Sequence, residues 1–254
     1  MDMDTQTRQL HQYLEQANCV PDVILLKQST TSTNDDLREL ATQGVQTALV
    51  CSESQTQGRG QHKRAWVSPQ GNIYFSCLIH TNNVLDGRLA LEIALNLIHM
   101  PIFKDLELSI KWPNDLYSTQ GKWGGILVEP LSNTQAVIGV GINLRSQPEL
   151  TQLDQQTTSL EELGLTDVPR LTMIGEIYKA IQQAAQWFNH GSPNLAQRFN
   201  HVAIFKNQPI IFEHQNGQIT GQYLGIQNDG ALLIQTETEI VHFYQGRLRL
   251  ANKG

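Results

Sequence analysis

Apolar positions recur at helical spacing in three long stretches of this 254-residue chain. Residues 5–17 put Leu10, Tyr13, Leu14 and Ala17 on one side, and residues 87–100 do the same with Leu89, Ile93, Leu97 and Met100. Residues 171–190 repeat the pattern with Ile174, Ile177, Ile181, Ala184, Ala185 and Phe188. A period near 3.6 predicts an amphipathic helix over each stretch. A shorter helix is expected after the polar run STTSTNDD, capped by Thr33 or Asn34 and continuing through Leu37 and Leu40. Strands are expected at VILLK (23–27), TALVCSES (47–54), NIYFSCLIH (72–80) and LSIKW (108–112). GKWGGILVEPL (121–131) and QAVIGVGINL (135–144) read as neighbouring strands joined around SNTQ.

The pattern changes near residue 200. Short strands then alternate with NG, NDG and QG turns, and no helix-length periodic segment follows. Five short strands in this span suggest a small barrel appended to a mixed α/β domain. The expected division is residues 1–202 and residues 203–254.

Composition narrows the class. Hydrophobic residues make up 40% and charged residues 17%, an ordinary balance for a globular protein. The formal charge of −6 argues against bulk nucleic-acid binding. Cys19, Cys51 and Cys77 are widely spaced, with no CxxC pair, which fits reduced thiols better than a disulfide framework. The polar start MDMDTQTRQLHQYLEQ does not resemble a signal peptide, and no apolar run approaches the roughly 20 residues a membrane span needs. The expected compartment is the cytoplasm.

Against that acidic background, GRGQHKRAW (58–66) gathers Arg59, Lys63 and Arg64 between glycines. Glycines free the backbone to approach a ligand, the cations can neutralise phosphate, and Trp66 can cover a heterocycle or a methylene chain. A solvated basic turn before a core tryptophan fits the same residues. KWPND (111–115) ends a strand and presents Asn114 and Asp115, suited to a cation, its hydration water or a neighbouring lysine; an Asn-Asp turn is the plain alternative. GKWGG (121–125) places Lys122 where it can reach an anionic centre, or simply makes a tight turn. GVGIN (139–143) lets a strand pass close to something flat. In STTSTN (29–34), capping explains one polar group and leaves the others for a small ligand head. His62 can touch phosphate, but the eight histidines form no pair with metal-ligand spacing. P-loop, GxGxxG and GxSxG patterns are absent.

Taken in order, STN (32–34), QTQGRGQHKRAWVSPQGNIYFS (55–76), KWPND, GKWGGILVE (121–129) and VIGVGIN (137–143) resemble the biotin–protein ligase family over roughly residues 23–250. The resemblance implies an α+β fold: a mixed-sheet, class II synthetase-like biotin–lipoate ligase domain with a small C-terminal SH3-like β-barrel. It implies that ATP and Mg²⁺ activate biotin to biotinoyl-5′-AMP, and that biotin then passes to a lysine of a biotin carboxyl carrier protein. Lys122, Arg59, Asp115 and Asn114 match the catalytic positions, with Mg²⁺ near Asp115. Ser32, Thr33, Asn34, Gln55, Gly58, Arg59, Gly60, Lys122, Gly124, Gly125 and Gly139 match the biotin positions, and Gly141 leaves space beside them. Gln61, His62, Lys63, Arg64, Trp66, Lys111 and Asn143 fall to the nucleotide, while Arg247 or Arg249 can serve in the terminal domain.

Two departures stand out. The family commonly has GRGRRGR where this chain has GRGQHKR, so neutral Gln61 replaces an arginine and Lys63 a glycine. Weaker retention of the adenylate is expected unless His62, Lys63 or Arg64 compensates. STTSTN begins at residue 29, which leaves no room before it for the helix-turn-helix domain of bifunctional members. A monofunctional enzyme without direct DNA binding is therefore expected, with homodimer formation through the central sheet left open. The alternatives are a lipoate-attaching relative and a decayed ligase that binds biotin without turnover.

Overall fold

The computed structural model describes residues 2–146 and 156–251. Helix α1 (Met3–Gln16) starts where the Asp2 carboxylate accepts the Thr5 N–H at 2.7 Å, and it buries Leu10 and Leu14. Strand β1 (Val23–Lys27), helix α2 (Thr33–Thr42) and strand β2 (Ala48–Ser52) form a crossover unit, so β1 and β2 pair in parallel. Next come β3 (Ile73–His80), α3 (Arg88–Ile98), β4 (Ser109–Lys111), β5 (Asp115–Ser118), β6 (Gly121–Pro130) and β7 (Gln135–Ile142). Helices α4 (Arg170–Asn189) and α5 (Leu195–Val202) complete the first layer set.

The seven strands lie in the order β1-β2-β3-β7-β6-β5-β4, and all pairs after β1–β2 are antiparallel. This mixed sheet agrees with the expected α+β catalytic architecture. Its two faces differ because strand side chains alternate. Ile73, Phe75, Cys77 and Ile79 of β3, with Ala136, Ile138, Val140 and Ile142 of β7, join the main core with residues of α1, α3 and α4. Leu78 and Val137 point the other way and pack with Leu37 of α2. On that second face the next positions along β7 are Gly139 and Gly141, which leaves bare backbone there.

The terminal strands are β8 (Pro209–His214), β9 (Gly217–Ile226), β10 (Leu232–Gln235), β11 (Ile240–Phe243) and β12 (Arg247–Leu250). They form an antiparallel sheet in the order β11-β10-β9-β8-β12. The expected SH3-like barrel is not formed. Closure requires the two outer strands to share a ladder, whereas the four-residue β11 pairs with β10 and the four-residue β12 pairs with β8. The sheet curls enough to bring the Phe212 and Phe243 rings to 4.6 Å, but it remains open. It is stitched to the first sheet by Ile204 N–H donating to the Ile110 carbonyl and by the Trp112 indole donating to Gly230, each at 3.0 Å. Among the described residues no helix is long and apolar enough to cross a membrane.

One buried charge holds the helical layer. Glu92 of α3 is fully buried and receives Arg198 of α5 at 2.5 and 2.9 Å, while the guanidinium lies 4.5 Å from the Trp187 ring. Removing one partner strands a carboxylate in the core. Arg198→Met is expected to lower the unfolding free energy by about 3 kcal/mol in urea melts, and Glu92→Met with Arg198→Met to recover most of it.

Candidate active site

A cavity of about 300 Å³ opens on the glycine face of the first sheet. Its floor is made of backbone. Gly125 and Gly141 lie opposite each other on β6 and β7. A Cβ on Gly141 would fall 2.5 Å from Trp66 Cε2, so the indole lies there because position 141 is glycine; one on Gly125 would crowd Cζ3 at 3.2 Å. A Cβ on Gly139 would fall 2.5 Å from Asn34 Oδ1. The buried indole N–H of Trp66 has no hydrogen-bond partner among the described residues.

One end of the cavity is a polar cluster at the start of α2. Ser32 occupies the N-cap position, but its side chain makes no capping bond. Gln55 takes over part of that role: its Oε1 accepts the Thr33 N–H at 3.0 Å and the Thr33 hydroxyl at 3.2 Å. The Thr33 hydroxyl also lies 2.7 Å from Ser76 Oγ, which donates to Asn34 Oδ1 at 2.5 Å. Asn34 Nδ2 donates to Glu129 at 2.6 Å. Ser32, Thr33 and Asn34 are all buried. Such a prearranged set of hydroxyls and amides can read a small polar head group.

The basic loop closes over the cavity. Gly60 N–H donates to the Arg64 carbonyl at 2.8 Å and Trp66 N–H to the Gly58 carbonyl at 2.9 Å. Between them runs a single tight turn, Gln61–Lys63, with His62 in the left-handed region at φ 55°. Arg59, Gly60, Gln61, Arg64 and Trp66 line the cavity, while His62 is exposed and does not. The Lys63 side chain lies outside the described residues. Gly58 does not line the cavity either: a Cβ there would meet Ser68 Oγ and the Trp66 carbonyl at 2.5 Å, so this glycine lets the loop fold on itself.

The opposite wall carries charge. Lys111 ends β4 and Asp115 begins β5, with a cis Trp112–Pro113 peptide between them. Asp115 Oδ1 meets Lys122 Nζ at 2.5 Å, and Oδ2 lies 3.9 Å from Lys111 Nζ. Lys122 Nζ also lies 5.2 Å from the Trp66 ring centroid. Burial pushes the Lys111 ammonium down to about 8, with Lys122, Arg247 and Arg249 adding to the fall and Asp115 opposing it. Arg247, at the start of β12, lines the same wall and is likewise lowered by burial, then by Arg249 and Arg64.

Asn114 Nδ2 donates to the Ile126 carbonyl at 2.5 Å, tying the turn to β6. Asn143 Nδ2 donates to the Thr158 carbonyl at 3.2 Å. Both line the cavity. Gly124 does not; a Cβ there would meet the Gly141 carbonyl at 2.8 Å, so it serves the packing of β6 on β7. Arg249 faces Glu213 at 3.4 Å, away from the cavity lining.

Sequence reasoning missed three supporting groups. Asp35 holds Arg59, Glu129 holds Asn34, and Ser76 bridges Thr33 to Asn34. Asp35 directly follows STTSTN, while Glu129 and Ser76 are the last residues of GKWGGILVE and of the long loop-and-strand stretch, so one borders a motif and two lie within motifs. The described residues contain no group of three or more His, Cys, Asp or Glu able to hold a metal. A divalent cation here fits as a partner of ligand phosphates, with Asp115 as the available carboxylate, and not in a cage built by the protein. A flat indole, five lining cations and a polar pocket in one cavity suit a ligand with a heterocycle, phosphate and a small polar head.

Comparison with known proteins agrees with this chemistry. The Biotin/lipoate A/B protein ligase family matches residues 25–143, and the Biotin protein ligase C terminal domain matches residues 206–247. The chain is 30% identical over 224 residues to the biotin--[acetyl-CoA-carboxylase] ligase of Paracoccus denitrificans, covering 81% of this chain and 91% of that protein. It is 29% identical over 209 residues to the bifunctional ligase/repressor BirA of Escherichia coli, covering 78% of this chain and 65% of the relative's length. The biotin protein ligase of Aquifex aeolicus in complex with biotin and ATP aligns with a TM-score of 0.76 at 26% identity, over 91% of this chain and 100% of that one. The chain belongs to the biotin protein ligase family.

Proposed function

We propose that this protein is an ATP-dependent ligase that activates biotin and transfers it to a carrier-protein lysine. The observation that carries the reading is one cavity that joins the Ser32–Asn34 cluster, the Trp66 indole and the Lys122–Asp115 pair. In the first step a biotin carboxylate oxygen attacks the α-phosphorus of ATP. The new P–O bond forms as the bond to the β-phosphate bridge breaks, and pyrophosphate leaves. In the second step an acceptor lysine amine attacks the acyl carbon, the C–O bond to AMP breaks, and the amine loses its proton.

The residues divide this work by position. Ser32, Thr33, Asn34 and Gln55 suit the ureido ring, while Gly125, Gly139 and Gly141 seat the Trp66 indole and the Asn34 amide that face the ligand. Trp66 suits the adenine ring. Lys122, oriented by Asp115, stabilises charge that develops between carboxylate and α-phosphate. Lys111, Arg64 and Arg247 suit the remaining phosphates, and Gln61, Arg59 and Gly60 form the cover. Magnesium brought by the nucleotide would neutralise phosphate charge, with Asp115 as the protein group available to hold it. The reading further assigns residues 1–202 to catalysis and residues 203–254 to a terminal unit that adds Arg247 to the wall. It places the protein in the cytoplasm, with a biotin carboxyl carrier protein as partner. Three free cysteines and a net charge of −6 support a reducing compartment and a protein acceptor over a nucleic acid.

Mass spectrometry of an apo carrier domain incubated with the protein, biotin, ATP and Mg²⁺ tests the reading. One biotinyl increment on the acceptor lysine is expected, dependent on ATP and slowed about 10²-fold or more by Lys122→Ala. No increment on a verified cognate carrier would sink the proposal. A pH profile tests the wall. Lys111 is cationic below about 8 and loses its charge as pH rises through that value. The kcat/KM for ATP is therefore expected to fall above about pH 8, and Lys111→Arg, which keeps its proton, to abolish that limb.

A further inference from the structure

The basic loop is fastened by its backbone at the base, by the Trp66 indole on the sheet and by Arg59 beside the helix. Arg59 sends Nη1 to Asp35 Oδ2 at 2.7 Å and Nη2 to Asp35 Oδ1, a two-point fit of guanidinium on carboxylate. The same Nη2 lies 3.5 Å from Glu129 Oε2. Asp35 sits in the first turn of α2 and Glu129 on β6, so one arginine ties the loop to a helix and to the sheet. Neither carboxylate lines the cavity, which separates them from groups that touch ligand. Glu129 Oε2 also accepts from Asn34 Nδ2, while its Oε1 lies 3.2 Å from Arg38. The Arg59 guanidinium holds the Asp35 carboxyl below its ordinary range.

We propose that Asp35 and Glu129 are positioning residues: together they clamp Arg59, hold the basic loop down over the cavity, and link that closure to the Asn34 amide. For its catalytic consequence the inference rests on the ligase reading. A loop already held in its closed form loses less freedom when ligand binds, so the clamp lowers the ligand concentration needed for turnover. Arg59 then acts mainly through the cover it fastens, and the phosphate-facing charge comes from Lys111, Lys122, Arg64 and Arg247.

Limited trypsin digestion of the full chain, without biotin or ATP, tests the clamp directly, because Lys63 and Arg64 are cleavage sites within the loop. Cleavage there follows the population of the open loop. Asp35→Asn and Glu129→Gln are expected to speed it roughly three- to fivefold, and Asp35→Glu to keep near-normal protection. A variant whose loop is cut at the wild-type rate removes that carboxylate from the clamp. Acceleration spread equally over sites outside the loop would also overturn the idea, since it would report general loosening. In the carrier assay Asp35→Asn is expected to raise the KM for ATP about threefold with kcat within about twofold; a fall in kcat at unchanged KM contradicts a positioning role. Failure of the wild-type protein to modify a carrier would refute the ligase reading and leave the trypsin result standing on its own.

Discussion

The cavity exists because the second face of the seven-stranded sheet carries no side chains at Gly125, Gly139 and Gly141. Alternation along β7 sends Ala136, Ile138, Val140 and Ile142 into the main core, which leaves the intervening positions on the opposite face. Glycine at two of them lets the Trp66 indole and the Asn34 amide settle directly onto backbone. A Cβ at Gly139 or Gly141 would come within 2.5 Å of those groups, so the glycines and their two partners form one arrangement. The floor depends on the core behind it, since the residues that hold β6 and β7 in register are the buried members of the same strands.

Charge is the second constraint. The chain carries a net charge of −6, yet Arg64, Lys111, Lys122 and Arg247 line one cavity. Burial pushes the Lys111 ammonium down to about 8, and the charges of Lys122 and Arg247 beside it add to the fall. Asp115 lies against both lysines and opposes the fall at Lys111. A positive field gathered in one concave site favours a polyanionic ligand.

The terminal sheet takes part in the site through its edge. Gly246, Arg247 and Leu248 reach the cavity at the start of β12, and the Trp112–Gly230 bond anchors the terminal sheet beside the KWPND turn. Main-core residues continue from Ile110 and Trp112 into Ile210, Phe212 and Leu248, so packing carries the wall across both sheets. An open sheet meets this requirement as well as a closed barrel would, because a single strand supplies the cavity residues.

Much of this was legible in the chain. Periodicity located the helices around Leu10, Ile93 and Ile177 and the strands through residue 142, because each element buries one face of its own and repeats that need locally. The order of STN, GRG, KWPND, GKWGG and GVGIN pointed to the family and to most residues that line the cavity. Helix α5 escaped, being eight residues with little room for a period, and so did β5, whose Asn-Asp start reads as a turn. Whether five terminal strands close was decided by long-range ladders that no local pattern encodes. Gly58 and Gly124 share the motifs of lining glycines, yet the fold turns them toward packing. The partners Asp35, Ser76 and Glu129 also belong to tertiary structure: Asn34 and Glu129 stand 95 residues apart, and only the stacking of α2 on the sheet brings carboxylate and amide within hydrogen-bonding reach.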